Sequence, residues 1–81
     1  MEVLKIPKGH VIVKRKDKVK GLYLIQDGSV IQKLDFAEIT LRKNGIIGSL
    51  RNDEFVNDFI AAEDTTVVLL PCKNPEELKA V

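Results

Sequence analysis

Short apolar runs of four to seven residues, most alternating with polar positions, are separated by glycine, proline and Asx-containing breaks along the whole chain. That rhythm predicts strands joined by tight turns rather than amphipathic helices. "EVLKI" forms a first strand, and Pro7, Lys8 and Gly9 a turn. "HVIVKR" forms a second strand, and "KDKVKG" a polar connection out of it. In "GLYLIQ" Leu22, Leu24 and Gln26 share one face, with Tyr23 and Ile25 on the other. Asp27-Gly28 is a turn, because glycine accepts positive φ without a Cβ clash. "SVIQKLDF" places Val30, Gln32, Leu34 and Phe36 on one face, and "AEITLRK" alternates Ala37, Ile39 and Leu41 against Glu38, Thr40 and Arg42. Asn44-Gly45 is a second turn, and "IIG" a short buried element. "RNDEFVND" suits a helical turn or loop, since Phe55 and Phe59 stand four apart. "FIAAE" and "TTVVLLP" supply the last strands, joined at Glu63-Asp64. After Pro71, Asn74 caps a short helix "PEELKAV" with Pro75 at its first position.

The expected fold is therefore all-β, a small β-roll or jelly-roll barrel of seven or eight strands with short helical segments. At 81 residues the chain is expected to be a single domain, 1–81. Hydrophobic residues at 44% and charged residues at 31% describe a globular chain rather than a disordered one. A net charge of +1 points away from nucleic acid and from anionic membranes as partners. The local balance is uneven. Residues 1–20 hold seven Lys or Arg against two acids, and residues 51–64 hold Arg51 against Asp53, Glu54, Asp58, Glu63 and Asp64. Such fields steer association more than they set a fold. The single cysteine, Cys72, excludes an internal disulfide and reads as a buried, inert thiol. No run reaches membrane-spanning length and the N-terminus has no apolar segment of signal type, so a cytoplasmic location without membrane attachment is expected.

The glycine spacing carries a resemblance. "GHVIVKRKDKVKGLYLIQDGSV" (9–30), "ITLRKNGIIGSL" (39–50) and "AAEDTTVVLLP" (61–71) resemble the cyclic nucleotide-binding domain family. This is the β-roll of catabolite-activator-type regulators, cyclic-nucleotide-dependent kinases and gated channels, and the match covers about three quarters of the chain. In that family a cassette after the last glycine binds the cyclic phosphate. The resemblance implies a Glu for the ribose, helix N-terminal amides for the phosphate and a later Arg paired with its oxygens. It assigns the cassette-equivalent positions, the candidate ligand-binding residues, to Gly48, Ser49, Leu50, Arg51 and Phe55. Ser49 stands at the Glu position and Phe55 near the Arg position. No Arg or Lys occurs between 52 and 66, where Asp53, Glu54 and Asp58 stand instead. Losing a charge-assisted pair and adding like charge removes several kcal/mol, on the order of a thousandfold in affinity. The expectation is a regulatory or protein-interaction module without tight cyclic nucleotide binding, in which Phe55 fills space that a nucleotide would occupy. Its partner would be another protein or a second copy. The alternative is a small-ligand or cyclic nucleotide sensor with an atypical cassette, with Arg51 as phosphate partner.

Other chemistry finds little support. "GIIGSL" is not a nucleophile elbow, and Ser49 suits a cap. The lone His10 cannot build the metal site of a metal-binding cupin, and "DEFVND" lacks the spacing of a calcium loop. "KRKDKVK" reads as a solvated strand edge rather than a nucleic-acid contact. No catalytic residue, cofactor or metal is expected, and no enzyme activity.

Overall fold

The computed structural model describes residues 2–48 and 53–71, and eight strands organise them. They are β1 (Glu2–Ile6), β2 (Val11–Val13), β3 (Gly21–Asp27), β4 (Ser29–Lys33), β5 (Glu38–Arg42), β6 (Ile46–Ile47), β7 (Asp58–Ala61) and β8 (Thr65–Pro71). Two four-stranded antiparallel sheets result, in the orders β1-β8-β3-β6 and β2-β7-β4-β5. The chain crosses repeatedly between them, the roll architecture expected from the alternation.

Register decides what the sheets bury. Leu4, Val67 and Ile25 lie opposite one another across β1, β8 and β3. Val13, Phe59, Gln32 and Ile39 do the same across β2, β7, β4 and β5. The core between the sheets is Val13, Tyr23, Ile25, Val30, Ile47, Phe55, Phe59 and Val67. Tyr23 and Ile25 thus occupy the buried face of β3, as their alternation requires. The turn between β3 and β4 needs its glycine. Gly28 has φ +90°, and a Cβ there would stand 2.6 Å from the Asp64 carbonyl and from Thr65 Oγ1. The same corner is latched by polar atoms, with Thr65 Oγ1 donating to the Ser29 carbonyl at 2.9 Å and Ser29 Oγ donating to Glu63 at 2.8 Å.

Four expectations need correction. "HVIVKR" leaves strand geometry after Val13, because Asp17 Oδ2 accepts the Lys14 N–H at 3.0 Å and folds 14–17 into a turn with Lys16 at φ 79°. "SVIQKLDF" stops at Lys33. Asp35 and Phe36 form a two-residue hairpin loop, closed by the Leu34 N–H donating to the Ala37 carbonyl at 2.9 Å, and Phe36 is fully exposed instead of sharing the Val30 face. "IIG" is only half buried, with Ile47 inside and Ile46 outside. Residues 53–58 are not helical. The Phe55 N–H donates to the Asp17 carbonyl at 2.9 Å and so is not available to a helical acceptor four residues back. No helix occurs among the described residues; the segment expected to form a C-terminal helix and Cys72 lie outside them.

Candidate functional site

The site begins at the end of β6. Gly48 abuts Leu22 of β3, whose Cδ2 occupies the place a Cβ at 48 would take. A side chain at 48 would require Leu22 to change its rotamer. Ser49, Leu50 and Arg51 lie outside the described residues. The chain returns at Asp53, and there a short antiparallel contact holds it. The Val19 N–H donates to the Asp53 carbonyl at 2.8 Å, the Phe55 N–H to Asp17, and the Lys16 N–H to the Phe55 carbonyl at 2.7 Å. Lys18 and Glu54 face each other in this bridge. The "KDKVKG" connection is therefore more than a polar loop. It is the strap that fixes residues 53–55, and Val19 packs against the core beneath it.

Pinned in this way, Phe55 is driven inward and is 2% exposed. Its ring centroid lies 6.5 Å from that of Tyr23 on one sheet and 6.0 Å from that of Phe59 on the other, the second pair edge-on at 74°. Edge-to-face packing of this kind adds to the area buried. Phe55 and Phe59 are thus core partners as expected, but by a loop-to-strand contact and not along a helix. Beside them the Tyr23 hydroxyl is held above its ordinary value of 10.0, first by burial, then by the charges of Asp17 and Glu2. It stays neutral at physiological pH.

Outside this plug the two charged segments of the sequence meet. Arg15, Lys16 and Lys18 share an open groove of about 500 Å³ with Asp53, Glu54, Phe55 and Val56. The basic connection and the acidic segment are one surface, not two. Asp58 turns away from the interior, its Oδ1 accepting the Arg15 N–H at 2.7 Å. Among the described residues no group of three or more His, Cys, Asp or Glu is placed to hold a metal ion. None has a helix long and apolar enough to cross a membrane.

Of the five positions assigned by resemblance, Gly48 and Phe55 are described, and they mark the two ends of the same connection. One polar pair was missed. Gln32 Nε2 donates to Asn57 Oδ1 at 3.1 Å on the inward row of β4, beside Phe59. The alternation Val30, Gln32, Leu34 held the clue, because it placed an amide on a core-facing row. The strap from 16 to 19 had no sequence signal beyond its length.

No family model and no curated protein sequence matches the chain. Solved structures do. The catabolite activator protein of Thermus thermophilus is 26% identical with a TM-score of 0.74, over 98% of this chain and 40% of that one. An EAL enzyme in its cAMP-bound form is 22% identical with a TM-score of 0.78, over 99% of this chain and 24% of that one. The N-terminal domain of a transcriptional regulator from Streptomyces coelicolor is 17% identical with a TM-score of 0.76, over 99% and 60%. The chain thus spans between about a quarter and three fifths of these structures' length. The fold is that of the cyclic nucleotide-binding β-roll.

Proposed function

We propose that this β-roll serves as a regulatory or protein-interaction module in which the cyclic nucleotide site has degenerated. One observation carries the reading. Phe55, near the position where the resemblance calls for the phosphate-binding Arg, is a buried plug between Tyr23 and Phe59. An Arg in that place could follow a phosphate; a phenyl ring fills the interior and offers it no donor. The carboxylates of Asp53 and Glu54 beside it oppose an anion further. The mixed-charge groove they share with Arg15, Lys16 and Lys18 is a surface suited to a protein partner, since complementary charge patterns set register and encounter rate.

Isothermal titration of the chain with cyclic AMP and cyclic GMP tests this. We expect no binding tighter than about 100 μM, a loss of more than 2 kcal/mol relative to a low-micromolar site. Low-micromolar affinity for either nucleotide overturns the reading. It would promote the sensor alternative, in which Arg51 supplies the phosphate contact.

A further inference from the structure

We propose that β5 pairs antiparallel with β5 of a second copy, about a twofold axis through Thr40. This goes beyond the proposed function and does not depend on it. β5 ends the order β2-β7-β4-β5, so among the described residues its outer side has no strand neighbour. The hairpin loop sets which groups face that side. Leu34 and Ala37 form the first hydrogen-bonded rung, and rungs alternate along an antiparallel ladder. Ile39 and Leu41 therefore bond to β4, while Glu38 and Thr40 direct their N–H and C=O groups outward and Arg42 its N–H, the Arg42 carbonyl also accepting the Gly45 N–H at 2.8 Å. An exposed edge of this kind is a template for another strand.

The sequence of the edge, "EITLR", reads as a charge palindrome. Antiparallel pairing centred on Thr40 sets Glu38 opposite the partner's Arg42, and Arg42 opposite the partner's Glu38. It sets Ile39 opposite the partner's Leu41, and the two Thr40 residues opposite each other. Each pairing is of a favourable cross-strand type. Glu38 already meets Lys33 at 3.8 Å, but both side chains are more than half exposed, so the contact is weak and leaves the carboxylate free to take a second cation. The pairing also extends the row Val11, Ile60, Ile31 and Thr40 on the outer face into its copy, giving one continuous eight-stranded sheet. Two otherwise unexplained exposures gain a neighbour. Ile39, 44% exposed on its inward row, meets the partner's Leu41. The same register carries the fully exposed Phe36 to the partner's Lys43-Asn44 turn. A twofold, self-complementary contact closes on itself and stops at the dimer.

The test is sedimentation equilibrium of the 81-residue chain at low salt over a dilution series, with circular dichroism as the folding control. Wild type is expected to move from 9.1 kDa toward twice that mass as concentration rises. Glu38→Arg and Arg42→Glu each place like charges at both ends of the pairing and should weaken the dimer about tenfold or more. The double variant Glu38→Arg/Arg42→Glu restores complementarity and should return to within about threefold of wild type. A wild-type chain that remains at 9.1 kDa at about 1 mM overturns the proposal. So does a dimer indifferent to either single change, or a double variant as weak as the singles.

Discussion

Phe55 shows how one side chain can tie two sheets together. It touches Tyr23 from one sheet and Phe59 from the other, so its removal opens a void between them. We expect Phe55→Ala to destabilise by about 3–5 kcal/mol in a denaturant melt, as for other buried aromatics. That is a large part of what a chain of this size has. Tyr23 makes a different prediction. Its hydroxyl is held above 10.0 by burial and by Asp17 and Glu2, so the folded state keeps the proton longer than the unfolded state does. Its contribution is full below about pH 10 and is lost as pH rises through the raised value. Tyr23→Phe should therefore flatten the fall of stability above pH 10 in alkaline melts, and leave its pH dependence at neutral pH as it was. At this scale much was legible. The alternation of "GLYLIQ" put Tyr23 and Ile25 on the buried face, and the Asp-Gly pair marked a corner that Gly28 makes with positive φ. At the second corner Asn44, not Gly45, takes the left-handed conformation, at φ 74°. Asn is the residue other than glycine that enters that region most readily, so either reading was open.

Elements were legible where local chemistry decides them and obscure where a distant partner does. The β4–β5 loop carries no Gly, Pro or Asn, so the alternation of "SVIQKLDF" ran through it unbroken; only the ladder to "EITLR" reveals the stop. Phe36 stands at that stop with no contact of its own. We expect Phe36→Ser to change the stability of the dilute chain by less than about 0.5 kcal/mol in urea, as surface changes usually do. A larger loss would mean that the loop packs on the fold. The segment 53–55 was obscure for the opposite reason. Its i to i+4 phenylalanines suit a helix, yet its backbone groups are taken by residues 16–19, more than thirty positions earlier in the chain. No local pattern encodes such a bond. The groove follows from it, because the strap brings Lys16 and Lys18 against Asp53 and Glu54.

For the molecule as a whole, the order of strands matters more than any one of them. Among the described residues β4 and β5 are the only consecutive strands that lie side by side in a sheet. Every other ladder joins distant parts, and β8, the last of the eight, lies between β1 and β3. Folding rates fall as contacts lengthen in sequence, so refolding belongs to the slow, millisecond-to-second range of β proteins. The position of β8 has a further consequence during synthesis. β8 is the strand that joins β1 to the β3–β6 pair, so that sheet cannot be completed while β8 is still inside the ribosome. A ribosome that pauses before residue 65 leaves β1 with no strand neighbour and β3 paired with β6 alone, and with them the apolar side chains of Leu4, Tyr23 and Ile25 short of their full cover. For this chain the codons of β8 set the moment at which the β1-β8-β3-β6 sheet can be completed, and the preceding interval is the one in which a holding chaperone has something to hold.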